Sequence, residues 1–142
     1  MTRYARFERG SRTAYGILQG DIIEEIRGNL FGSYQVTRTR HKLQEVKLLY
    51  PCQPTKILAI GFNYALEIGK RKPPEKPEMF CKPVSALQNP GDPIVWPKGA
   101  ARVAYESEMV AVIGRRCKGI TPEEAPGVIF GVTCGNDVSE RE

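Results

Sequence analysis

Two glutamates stand one residue apart, Glu106 and Glu108, at the head of an apolar run that ends at Gly114. Residues 109–113 are Met-Val-Ala-Val-Ile, a composition that predicts a buried β-strand. On a strand, side chains two apart point to the same face, so both carboxylates project together. Two like charges so placed repel each other and are costly to desolvate. A divalent cation relieves both costs, and hard cations prefer oxygen donors. A third carboxylate, Asp137, sits in Cys134-Gly135-Asn136-Asp137-Val138-Ser139, just after a second apolar run. Three carboxylates at the ends of two strands have the character of a Mg²⁺ or Mn²⁺ site. The plainer alternatives are a solvated strand face for the glutamate pair and a turn or cap aspartate for Asp137.

The elements that must position these residues fall into two groups, residues 1–50 and 51–142. Within the first, residues 3–8, 13–18 and 21–26 read as short strands separated by Gly10-Ser11 and Gly20-Asp21, the latter with hairpin chemistry. Residues 32–42 are polar and read as a loop. Pro51-Cys52-Gln53-Pro54 forms a stiff connector. In the second group, residues 56–61 and 78–82 read as strands, with a short helix over 63–70 and a Pro-rich charged loop over 71–77. A turn at Asn89-Pro90-Gly91-Asp92-Pro93 precedes a strand over 94–96 and a long strand over 103–114. Thr121-Pro122-Glu123-Glu124 has the order of an N-cap, a first-turn proline and first-turn acids. The helix it predicts stops near Gly127, and residues 128–133 form the last strand. The fold class is mixed α/β and β-rich, with a small β-rich leading domain.

Composition narrows the function classes. With 41% apolar and 26% charged residues, the 142-residue chain suits a globular domain with a real core. No apolar run approaches the roughly 20 residues that cross a bilayer, and the N-terminus lacks a signal-peptide core. A cytoplasmic location with no membrane partner is expected. Cys52, Cys81, Cys117 and Cys134 show no C-x2-C spacing, and their apolar settings predict buried free thiols. The net charge of +5 is concentrated in residues 1–50, which hold nine Lys/Arg against five Asp/Glu. Arg38, Arg40, His41 and Lys42 cluster there, but no aromatic is interleaved and no nucleic-acid motif is present, so a solvated basic face is expected. Gly61 and Gly114 stand in neither a dinucleotide fingerprint nor a phosphate loop.

Five stretches in order carry a family resemblance. They are Lys56-Ile57-Leu58-Ala59-Ile60-Gly61-Phe62-Asn63-Tyr64, Met79-Phe80-Cys81-Lys82-Pro83, Gly91-Asp92-Pro93-Ile94, the run from Tyr105 to Gly114, and Asn136-Asp137-Val138-Ser139-Glu140-Arg141. The chain resembles the fumarylacetoacetate hydrolase superfamily, in particular its bacterial small-domain members. The resemblance implies a β-roll catalytic domain, here incomplete, preceded by a small leading domain. It implies that Glu106, Glu108 and Asp137 hold the metal, that Arg141 grips substrate oxygens, and that Lys82 and Tyr64 lie near the substrate. A homodimer of the full-length protein is implied as well. One departure concerns the Asn-Tyr segment, where many members carry a histidine that activates water. Here the segment is Asn63-Tyr64-Ala65-Leu66-Glu67-Ile68, and Glu67 is the stand-in base. The other departure is length, since members continue further.

The implied chemistry is that of a divalent-metal hydrolase, isomerase or decarboxylase acting on a 2-oxo or 2-hydroxy-dienoic carboxylic acid through a metal-stabilised enolate. Without the histidine, decarboxylation or keto–enol isomerisation gains ground over C–C hydrolysis. The alternative is a non-catalytic fragment or pseudo-enzyme that keeps the metal site as a structural clip.

Overall fold

On the first strand Phe7 is fully buried with Ala5 beside it on the same face, and Arg6 between them is buried on the other. The computed structural model describes residues 1–141, apart from the side chains of Leu66 and Glu67. Strands β1 (Tyr4–Arg9), β2 (Arg12–Gln19), β3 (Ile22–Gly28), β4 (Tyr34–Lys42) and β5 (Lys47–Leu48) form one antiparallel sheet in the order β4-β3-β2-β1-β5. Two-residue turns join β1 to β2 and β2 to β3, and Gly10 and Gly20 supply the positive φ, 62° and 61°, at the first turn position. Phe7, Ile23 and Ala5 form the core, with Ala14, Leu18, Leu43, Val46 and Leu48 packed around it. Gly16 permits this packing, because a Cβ there would stand 2.3 Å from Ile23 Cγ2. Burying a side chain such as Phe7 contributes about 1.5–3 kcal/mol.

The same face carries a polar network at its margin. Arg12 forks onto Glu25 at 2.9 and 2.5 Å, and Glu25 Oε2 lies 2.9 Å from His41 Nε2. Arg9 Nη1 lies 3.0 Å from His41 Nδ1. A guanidinium only donates, so Nδ1 accepts from Arg9 and Nε2–H donates to Glu25. The hydrogen bond from Arg12 holds the Glu25 carboxyl below its ordinary range, against the upward push of burial, and His41 pulls the same way as Arg12. On the opposite face the Arg6 guanidinium lies over the Tyr50 ring at 4.6 Å.

The second group of strands pairs only two by two. β6 (Ile57–Gly61) pairs with β7 (Glu78–Lys82), β8 (Arg102–Ala104) with β11 (Ser139–Arg141), and β9 (Ser107–Ile113) with β10 (Ile129–Asn136), all antiparallel. Helix α1 (Ala65–Ile68) is a single turn. The two groups touch through Phe130, whose ring lies 5.4 Å from Tyr4 and 4.9 Å from Phe31. A 2.8 Å ion pair, Lys47 to Asp92, and a 3.2 Å bond from Tyr50 N–H to Asn89 Oδ1 add to that contact.

Several expectations are corrected. Residues 34–42 form strand β4 rather than a loop; it is the sheet's edge, and its polar, charged side chains are those that discourage further pairing. The expected long strand over 103–114 is broken at Tyr105 and Glu106. There Asn136 Oδ1 takes the Glu106 N–H at 3.0 Å, interrupting the ladder. Residues 94–96 form no strand, since Pro93 and Pro97 flank them and cannot donate to a ladder. The helix expected from Thr121 reduces to one 3-10 turn, Ala125–Gly127, with Glu124 reaching back to the Thr121 N–H at 2.8 Å. The thiols are not buried: Cys81, Cys117 and Cys134 are exposed and Cys52 is half-buried. Nor is strand β9 buried, with Met109 73% exposed, because no second layer covers this face. Among the described residues no helix is long and apolar enough to cross a membrane.

Candidate functional site

The break between β8 and β9 brings acids from two strand ends together. Asp137 N–H donates to Glu106 O at 2.9 Å, and Glu106 N–H donates to the Asn136 side chain. Main chain and one amide therefore set the spacing of the two acidic residues before their carboxylates make any contact. The β9–β10 ladder ends with Ser107 opposite Asn136, and the β8–β11 ladder resumes with Ala104 opposite Ser139. Glu106 and Asp137 occupy the gap between them.

Both carboxylates line one open cleft of about 360 Å³, whose wall includes Gly61, Phe62, Glu78, Phe80 and Arg141. Each acid is met by a cation. Lys82, at the end of β7, reaches Asp137 Oδ1, and Arg141 on β11 reaches Glu106 Oε1. The Asp137 side chain is 14% exposed and that of Lys82 28%, so this pair is sheltered from screening water. Phe62, directly after β6, holds φ at 53°, a left-handed conformation uncommon for a bulky side chain and costing of order 1–3 kcal/mol. Strain of this kind collects at ligand-binding walls.

Four of the seven residues picked out in the sequence thus converge: Glu106, Asp137, Lys82 and Arg141. Glu108 is half-buried on β9 opposite Gly135 and is not part of the cleft wall. Tyr64 accepts the Met109 N–H at 3.3 Å, which ties the start of α1 to β9. The side chain of Glu67 lies outside the described residues. His41 is committed to Arg9 and Glu25 in the N-terminal sheet. Sequence reasoning missed Glu78 and the side-chain role of Asn136. Glu78 enters the cleft wall because the β6–β7 register sets it opposite Gly61, a tertiary pairing that the sequence does not announce.

Among the described residues no three His, Cys, Asp or Glu side chains converge as a ready metal cage. The donor chemistry fits a hard cation nonetheless, because three carboxylates, Glu78, Glu106 and Asp137, line the one cleft.

Residues 56–142 match the family model described as fumarylacetoacetate (FAA) hydrolase C-terminal, and residues 2–51 match one described as Rv2993c-like, N-terminal. Protein Rv2993c of Mycobacterium tuberculosis is 35% identical, over 99% of this chain and 56% of its own length. The solved structure of 2-hydroxyhepta-2,4-diene-1,7-dioate isomerase from Mycobacterium marinum superposes with a TM-score of 0.88 at 32% identity, covering 99% of this chain and 56% of that one. Maleylpyruvate hydrolase from Sphingobium sp. SYK-6, solved with manganese(II) and pyruvate, gives 0.74 at 28% identity, covering 99% and 60%. The chain spans about half the length of the curated relatives it matches most fully. Its β-rich fold, the ordered motifs around the cleft and these matches together show that the chain belongs to the fumarylacetoacetate hydrolase family.

Proposed function

We propose that this chain carries the metal-binding part of an enzyme that isomerises, decarboxylates or hydrolyses a 2-oxo carboxylic acid, with residues 1–50 as a small leading domain. The observation that carries the reading is the meeting of Glu106, Asp137, Lys82 and Arg141 in and around one cleft. Glu106 and Asp137 would hold a Mg²⁺ or Mn²⁺ ion, with Glu108 as the third ligand after a side-chain rearrangement. The bound ion supplies Lewis-acid stabilisation of negative charge developing on substrate oxygen. Arg141 binds and orients a substrate carboxylate through its planar fork, and Lys82 adds a point charge beside it. Phe62, Met79 and Phe80 supply the apolar part of the cleft wall. No histidine stands in the cleft among the described residues, which favours proton movement within a keto–enol pair over activation of a water.

The manganese(II) and pyruvate in the Sphingobium hydrolase support the choice of metal and ligand class. Titration with Mn²⁺ tests the assignment. The Glu106→Ala variant is expected to bind at least about tenfold more weakly, in keeping with the loss of a charged ligand. Equal affinities for variant and parent would remove the metal site from Glu106.

A further inference from the structure

Two of the cleft's three acids, Glu106 and Asp137, are already neutralised from within. Lys82 Nζ bonds Asp137, and Arg141 Nη2 bonds Glu106. Neither acid needs its cation to stay in place, because Asp137 N–H, Glu106 O and the Asn136 amide fix their backbones. The four side chains are 14–47% exposed, sheltered enough for charge to count and open enough for exchange with solvent. A carboxylate oxygen in contact with a lysine or arginine offers less to a second cation, and the two positive groups repel one that approaches. A divalent ion that overcame this would bring two charges to two carboxylates. It would leave Lys82 and Arg141 without partners beside a cleft whose wall includes Phe62 and Phe80.

We propose that Lys82 and Arg141 are internal counterions of the carboxylate seat, displaced by the divalent cation and thereby released to hold an anionic ligand. This inference rests on the metal reading above. It makes binding ordered: without metal both cations are committed, and with metal both are free. Each internal pair lowers the apparent metal affinity by the fraction of time it is closed.

Mn²⁺ binding to the full chain, followed by electron paramagnetic resonance, tests it alongside amine labelling of Lys82 read by mass spectrometry. The Lys82→Met variant is expected to bind Mn²⁺ about three- to tenfold more tightly than the parent, and Arg141→Met by a comparable factor. In the parent, Mn²⁺ is expected to raise the labelling rate of Lys82 by at least about threefold, as release of a paired amine requires. Tighter binding with unchanged labelling denotes charge repulsion alone and overturns the exchange. So does Mn²⁺ binding that Asp137→Asn abolishes but that leaves Lys82→Met affinity and Lys82 labelling unmoved; the metal reading then stands by itself. Equal Mn²⁺ binding by the parent and Asp137→Asn removes the metal reading and the exchange with it. Parental labelling needs no variant to fold, and it decides where the two measurements disagree.

Discussion

The N-terminal sheet and the three ribbons that follow it are made of similar residues in different circumstances. In the sheet Phe7 and Ile23 are fully buried, while in the ribbons Leu58, Met109 and Val132 are 55%, 73% and 59% exposed. Five strands in one sheet close a core with the residues packed around them; pairs of strands do not, since a two-stranded ribbon is marginal by itself. The candidate site nevertheless lies wholly in the open half. Its spacing is held by backbone and amide hydrogen bonds between two strand ends, not by a packed core. The packed core and the candidate site thus lie in different halves of the chain.

The largest effect that tests this division is in the sheet. Phe7→Ala is expected to destabilise it by about 3–5 kcal/mol, the cost of a large cavity. Met109→Ala, on an exposed face, is expected to stay within about 0.5 kcal/mol. Urea denaturation followed by circular dichroism measures both, and comparable losses would erase the distinction between the two halves.

Next in size is Glu25→Gln, at about 2 kcal/mol, because it unpairs the buried His41 as well as Arg12. The pH dependence has a definite sign. The Glu25 carboxyl titrates below its unfolded value of about 4.3, so its contribution is fully present above that pH and is lost as pH falls through the lower folded value. A thermal melt series from pH 7 to pH 3 should show this loss in the parent and a flatter profile in Glu25→Gln. A smaller loss is expected at the seam. Phe130→Ala removes ring contacts with Tyr4 and Phe31 and is expected to cost about 1–2 kcal/mol. If the sheet and ribbons unfold in one transition in the parent, this variant should begin to separate them.

Hairpin chemistry was the most legible part of the fold. Gly20-Asp21 turns where expected, and the strand of residues 56–61 and its partner over 78–82 pair as β6 and β7. What escaped depended on neighbours. Strand β4 is polar because it is an edge, and polarity alone reads as loop. The break at Glu106 arises from Asn136, thirty residues away, which no local pattern announces. Apolar character at 109–113 and around the cysteines predicted burial, but burial requires a facing layer as well as a sequence that wants one. For the site, residue types pointed to the acids and the resemblance supplied roles for Lys82 and Arg141. Their direct pairing with those acids is tertiary geometry, and spacing along the chain does not encode it.

His41 is the single histidine in these 142 residues, and its ring lies 4.9 Å from that of Phe7. Its two ring protons therefore give one pair of imidazole resonances, displaced by the neighbouring aromatic current only while β1 and β4 are assembled. The fold thus contains its own spectroscopic reporter, readable without label, for the state of the N-terminal sheet while metal or ligand is added to the other half.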